Sequence, residues 1–305
     1  TVTDCSGLTV RPVTGGSEYP ATSLQDAIDL AAAGDIVLVG PGTYKENVIM
    51  NKPVLLKGSG RGTIISGNPE PIERLQDWQD AIALLGAQDY RDLVGINPFS
   101  ANEAPAIIVI GQRTGVLNDG LETDFTSESP VIDGFTLIGS KAGGGIFAVD
   151  NVKNLVISNN DISGNQGSYG GGIVVGSPGL GNQTLLDGVT QLDLDNDDIT
   201  IRYNKIHKNG GIQGGGGVSI NDGAENYVIT DNLIAGNFGR FNGGGIQHLG
   251  LVPGNNLIQN NRILFNEVFF GAVVAQAGDG GGIFIGGAGA GGEGAGNVTI
   301  DSNLI

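Results

Sequence analysis

The chain is poor in the residues that most often carry chemistry. In 305 residues it has one cysteine, one methionine, one tryptophan and two histidines, and 15 Lys plus Arg stand against 32 Asp plus Glu. A lone Cys5 excludes an internal disulfide framework and leaves a free thiol or a bond to something outside this chain. So few sulfur and imidazole groups argue against a periplasmic metal-handling protein. At a net charge of −17, with no basic run to release counterions from phosphates, nucleic acid is not an expected partner. An acidic surface suits calcium or a cationic partner instead. No apolar run approaches the ~20 residues that cross a bilayer, so the chain is not expected to be membrane-embedded. A start at Thr1 and the scarcity of lysine fit a processed, exported protein, secreted, at the cell surface or periplasmic.

What is present is glycine, 55 residues of it, and isoleucine in a fixed spacing. Glycine without a three-residue period excludes collagen, and regular Ile spacing argues against disorder, leaving a turn-rich all-β body. Ile-x-x-Asn-x-Ile recurs five times, from Ile157, Ile201, Ile229, Ile258 and Ile300. The asparagines are Asn160, Asn204, Asn232, Asn261 and Asn303; four copies add another five residues on, at Asn165, Asn209, Asn237 and Asn266. A unit of roughly 28 residues cannot bury its own apolar face and must stack on its neighbours, which is the signature of a solenoid.

The flanking residues alternate between dry and wet. Isoleucine is invariant on one side, whereas Ser158, Arg202, Thr230, Gln259 and Asp301 hold the next position. A sharp turn at the asparagine separates two short strands, because Asn tolerates a left-handed backbone and its amide can donate and accept together. Equivalent amides about 4.8 Å apart are then expected to bond along the stack as a ladder. Glycine runs at 143–145, 170–172, 214–217, 243–245 and 280–282 lead tightly into a third strand at Ile146, Ile173, Val218, Ile246 and Ile283. Three parallel strands per coil describe a parallel β-helix.

Earlier in the chain, Leu24, Ala27, Ile28 and Ala31 have helical spacing within residues 23–33, with Ser23 as cap and Gly34 as stop. This helix would close the open end, giving a cap over residues 1–34 and a β-helix over 35–305. Residues 69–100 interrupt the pattern with a helix-like run through Trp78, Ile82 and Leu85, read as an insertion on the flank with the tryptophan packed beneath it. The fifth copy breaks off after its second isoleucine. Such an uncovered coil edge is expected to be continued by more chain, by another molecule or by end-to-end self-association.

The segment from Ala27-Ile28 through Gly34-Asp35-Ile36-Val37-Leu38-Val39-Gly40-Pro41-Gly42-Thr43-Tyr44-Lys45-Glu46-Asn47-Val48 resembles the opening of right-handed parallel β-helix proteins of the pectin-lyase-like superfamily. Pectin methylesterases, the periplasmic copper-binding family tied to nitrous oxide reductase and many bacterial surface proteins share it. With the Asn-rich coils, the resemblance covers about two thirds of the chain. It implies a right-handed all-β solenoid, a hand that parallel crossovers also favour, and it implies little about activity. The methylesterase match ends there, since no Gln-Asp-Thr or Arg-Pro-Trp follows. Asp197-Asp198 resembles the paired aspartates of polygalacturonases, but no Gly-His-Gly or Arg-Ile-Lys accompanies it.

Several residues remain as site candidates. Asp193, Asp195, Asp197 and Asp198 lie in the longest gap between repeats, as a structural calcium site or as a plain acidic loop. Tyr169, Ile212, Phe241 and the pair Phe269 and Phe270 follow the second asparagine by three to four residues, which would place them at one corner of successive coils. Such aromatics could bind sugar rings or another protein chain, or could cap the core. His248 stands where other coils carry Ala148, Val175, Ile220 and Ile285, the mark of a satisfied buried histidine, and His207 falls on the wet side. Arg202 with Asp231, and Asp161 with Lys205, suggest ion pairs between rungs. Asn182-Gln183-Thr184 and Asn297-Val298-Thr299 fit the glycosylation acceptor. No catalytic constellation emerges. The expected function is a non-catalytic, exported scaffold, adhesin or fibre subunit that binds glycans or proteins at the cell surface. The alternative is a polysaccharide-active lyase or esterase with its site outside the readable repeats.

Overall fold

A computed structural model of the chain describes residues 2–3, 9–13, 23–89, 104–111, 125, 129–149, 151–176, 196–250, 252–269, 278–287 and 294–305. Each coil runs through three main sheets in turn. The first sheet collects Ile36–Val39, Leu55–Gly58, Val131–Asp133, Val156–Ser158, Thr200–Arg202, Val228–Thr230, Asn256–Gln259 and Val298–Asp301. The second begins at Gly42–Tyr44 and ends at Arg262–Leu264; the third runs from Val48–Met50 to Ile283–Gly286. All of these strands pair in parallel, in the register of the repeat: Ile157 faces Ile201, then Ile229, Ile258 and Ile300. Thr9–Val13 extends the first sheet, and Val2–Thr3 pairs with it antiparallel. The all-β solenoid with three main strands per coil and two helices near its start therefore stands.

The inward residues of the three sheets form one continuous core. Ile132, Ile157, Ile201, Ile229 and Ile258 stack on one wall, Leu137, Ile162, Ile206, Ile234 and Ile263 on the next, and Ile107, Ile146, Ile173, Val218 and Ile246 on the third. Each coil covers the apolar face of the one before it, so burial grows with every copy.

A finer feature departs from the three-strand expectation. Coils from residue 166 onward add a fourth strand of only two residues, Gln166–Gly167, Gly210–Gly211, Phe238–Gly239 and Glu267–Val268, which align as a small parallel sheet.

Both asparagine sets form ladders. Asn160, Asn204, Asn232 and Asn261 each donate from Nδ2 to the Oδ1 of the next asparagine, at 3.0–3.1 Å, and each backbone N–H shares that acceptor. The same pattern joins Asn165, Asn209, Asn237 and Asn266. Nδ2 also donates to a carbonyl of the preceding coil, such as Ile157 O for Asn204 and Ile201 O for Asn232. The turn itself differs from expectation. The left-handed residue is the one just before each ladder asparagine: Asn159, Tyr203, Asp231, Asn260 and Ser302 in the first ladder, and Gly164, Lys208, Gly236 and Phe265 in the second. That preceding bend turns the asparagine side chain into the stack.

Helix α1 spans Leu24–Leu30, shorter than the spacing suggests, with Ser23 accepting from the Asp26 N–H. Ala31 is already extended, the Ala32 N–H turns to Asp35, and Gly34 with φ +80° shapes the following turn rather than the helix end. Lys52 Nζ caps the carbonyls of Asp29 and Ala31. Helix α2 spans Glu73–Asp89. Its Trp78 and Ile82 are buried against Ile49, Ile108, Phe147 and Val174 on the outer face of the third sheet, a second apolar cluster outside the coil interior.

Candidate functional site

The fourth sheet builds an open groove. Its equivalent outward residues are Gln166, Gly210, Phe238 and Glu267, one per coil. Gly210 is glycine because the Phe238 ring lies against it: a Cβ there would sit 2.2 Å from the ring. The next outward row follows from the bonds of Ile212 N–H to Gly167 O, Arg240 N–H to Gly211 O and Phe269 N–H to Gly239 O. It comprises Ser168, Ile212, Arg240 and Phe269. Gln166, Gly210 and Phe238 of the first row and all of the second, with Lys141 and Ala142, line a groove of about 300 Å³, at the lower end of small-ligand clefts (roughly 300–1,000 Å³).

Phe238 and Phe269 meet edge to face, ring centres 5.6 Å apart. Phe269 is 53% exposed and Ile212 49%, so apolar surface faces solvent on the groove. Lys141 and Arg240 are the ionisable groups among the described lining residues; Glu267 follows Phe238 one coil on, beside the groove. Two cations set around an aromatic pair make a locally positive patch on an acidic chain.

This register corrects the aromatic corner. Tyr169 and Phe241 lie one residue beyond the groove row, where the chain bends toward the glycine run, and neither lines the groove. Tyr169 packs on the second apolar cluster, and the Phe241 ring lies under the Arg240 guanidinium at 4.8 Å. Phe269 is in the groove, and Phe270 lies outside the described residues. Phe238, Arg240, Lys141 and Gln166 escaped the sequence reading. A count from the second asparagine to its next neighbour, Gln166, Gly210, Phe238 and Glu267, would have found the first row.

A family model described as a right-handed β-helix region matches residues 97–263, more than half of the chain. The chain belongs to the right-handed β-helix family. A cell surface glycoprotein of Methanothermus fervidus is 32% identical over 74 residues, which is 22% of this chain and 12% of that protein. No solved structure matches.

Within this right-handed β-helix the remaining candidates resolve individually. The family-like opening is structural: Tyr44 is buried with its hydroxyl on Gly40 O, Glu46 accepts from the N–H groups of Leu24 and Gln25 and from the Ser23 hydroxyl, and Asn47 Nδ2 bridges the carbonyls of Gly67, Ala104 and Pro105. Of the acidic run, Asp193 and Asp195 lie outside the described residues. Asp197 accepts from the Glu225 N–H and stands 3.5 Å from Lys153 Nζ, and Asp198 is a left-handed turn residue. Among the described residues no group of three His, Cys, Asp or Glu side chains gathers for a metal, and no helix is long and apolar enough to cross a membrane. Cys5 lies outside the described residues.

His248 is fully buried, with Nδ1 2.8 Å from the Tyr227 hydroxyl and Nε2 2.7 Å from Ala295 O. A carbonyl only accepts, so Nε2 carries the proton and Nδ1 accepts from Tyr227. Burial holds His248 below its ordinary value, offset in part by the carbonyls of Ala295 and Gly250, and burial raises Tyr227. Asp161 is a hub rather than a simple pair: Lys205 at 3.6 Å, Arg61 at 3.8 Å and His207 at 2.8 Å surround it. His207 is thus a rung contact and not plain surface. Arg202 and Asp231 do not pair; Asp231 accepts from the Thr230 hydroxyl, and Arg202 lies 5.8 Å from the Tyr203 ring centre.

Proposed function

We propose that this chain is a non-catalytic, exported β-helix that works at the cell surface as a scaffold or adhesin and holds a glycan in the groove over its fourth sheet. The observation that carries the reading is the solvent-facing Phe238–Phe269 pair flanked by Gln166, Lys141 and Arg240. Sugar rings present an apolar face of C–H groups and an edge of hydroxyls, and this groove offers aromatic edges beside an amide and two cations. The cations favour a chain bearing carboxylates or sulfates. The partial likeness to a cell surface glycoprotein supports the location.

The described groove residues offer Lys and Arg without a carboxylate pair to share acid and base roles, so binding without cleavage is the reading they support. The test is a panel of neutral and acidic polysaccharides offered to the purified chain, with calorimetry for binding and a reducing-end assay for cleavage. Saturable binding to at least one acidic glycan, weakened about tenfold or more in Phe269→Ala and without release of reducing ends, is the expected result. Cleavage of any member would replace the scaffold by the lyase or esterase reading. Binding that is indifferent to Phe238→Ala and Phe269→Ala would remove the groove.

A further inference from the structure

The segment Asn297-Val298-Thr299 lies at the corner where each coil enters the first sheet, and the register shows what the fold asks of that corner. Thr299 pairs with Leu257, Leu257 with Val228, Val228 with Thr200 and Thr200 with Val156. Two residues before each of these stand Asn297, Asn255, Asn226, Asp198 and Asn154. In the earlier coils this polar residue serves the main chain: Asn154, Asp198 and Asn226 are left-handed, and Asn226 Oδ1 accepts from the Asn255 N–H. In the second row Val156, Val228 and Leu257 stand as well as threonine, so the fold needs no hydroxyl there. The last of these coils alone joins an asparagine to a threonine two residues on.

In that coil both side chains are left without a structural task. Gly296, at φ +82°, takes the turn. The main chain is held, since Asn297 O accepts from the N–H and the Nδ2 of Asn256 at 3.3 and 3.0 Å, and Val298 packs inward on the core. With the residue between them turned inward, Asn297 and Thr299 point outward from an extended segment. Both are exposed, and among the described residues neither the Asn297 amide nor the Thr299 hydroxyl has a hydrogen-bond partner. Asn255, one coil back and overlaid by Asn297, is exposed too, so stacking does not cover this corner. The other acceptor pattern, Asn182-Gln183-Thr184, lies outside the described residues.

We propose that Asn297 is a glycosylation site, a reading that rests on the exported, surface location proposed above. The donor is an oligosaccharide carried on a lipid phosphate, the class of reagent that supplies Asn-x-Thr acceptors. The Asn297 carboxamide nitrogen bonds to the anomeric carbon of the first sugar, and the bond from that carbon to the phosphate oxygen breaks. The lipid phosphate leaves with the electron pair, and the nitrogen gives up one proton. The Thr299 hydroxyl, beside the amide on the same outward face, marks the asparagine for the transferase.

The experiment recovers the chain from surface and interior fractions of its own cells and cuts it after Glu293, which releases Asn297 in a short peptide. Mass spectrometry of the surface-derived peptide is expected to show an added oligosaccharide, placed on Asn297 by fragmentation. Thr299→Val, which matches Val228 in the same row and so keeps the strand, should lower occupancy at least tenfold, and Thr299→Ser should retain it. An unmodified peptide from a surface-located chain overturns the proposal and leaves the surface reading standing. A chain found only inside the cell and unmodified overturns both. Sugar confined to Asn182, or a Thr299→Val chain modified as fully as the unaltered one, also overturns it.

Discussion

At the scale of single residues, the asparagines carry a cost that depends on where they sit in the ladder. Asn232 accepts two bonds from Asn204 and donates to Asn261, Ile201 O and Thr230 O, so Asn232→Ala leaves buried groups unpaired on both sides. A loss of about 2–4 kcal/mol is expected in denaturant unfolding, against a smaller one for Asn160→Ala, whose Oδ1 accepts from the Phe135 N–H alone. The residue before the asparagine obeys a different rule. Lys208 has φ +57°, so Lys208→Val should cost about 1–2 kcal/mol while Lys208→Gly should leave stability within about 0.5 kcal/mol. His248 adds a pH dependence with a definite sign. Its folded value lies below the ordinary 6.5, so the unfolded chain binds more protons and its contribution is complete above pH 6.5 and lost as pH falls below it. His248→Gln, which keeps a donor and an acceptor, should lose that part of the acid destabilisation when melting curves are compared across pH 4 to 8.

At the scale of elements, the glycines separate two causes that a sequence cannot tell apart. Gly217 needs no special φ, but a Cβ would meet Gly245 O at 2.5 Å and Ile234 Cγ2 at 2.8 Å; Gly236 has open space and φ +62°. Gly217→Ala should therefore cost more than about 2 kcal/mol, and Gly236→Ala about 1 kcal/mol, by thermal melting. The three main sheets were legible because inward isoleucines repeat in register, and both ladders because their asparagines do. The left-handed residue was misplaced by one, since Asn tolerates that conformation and draws the assignment to itself, while Tyr203 and Phe265 carry no such signal. The fourth sheet escaped notice because two-residue strands of Gly, Gln, Phe and Glu show no alternation. Tyr169, Phe241 and Phe269 share a spacing of three to four residues from the second asparagine, whereas Phe238 and Arg240 join the groove only through the pairing of the fourth sheet.

At the scale of the whole molecule, the stacked coils arrange outward groups by register. Most inward positions are taken by aliphatic side chains and the ladder amides, with His248 and Tyr227 as exceptions, and the groove lies on an outward corner. Fold and family follow from repetition. Function does not, because it resides in the few positions where a coil departs from its neighbours. The most direct measurement is a crystal structure of the chain with the tightest-binding acidic glycan from the panel. The account predicts an intact sugar ring against Phe238 and Phe269, with its acidic group near Lys141 or Arg240. A glycan bound on another face, or a cleaved product in the groove, would contradict it.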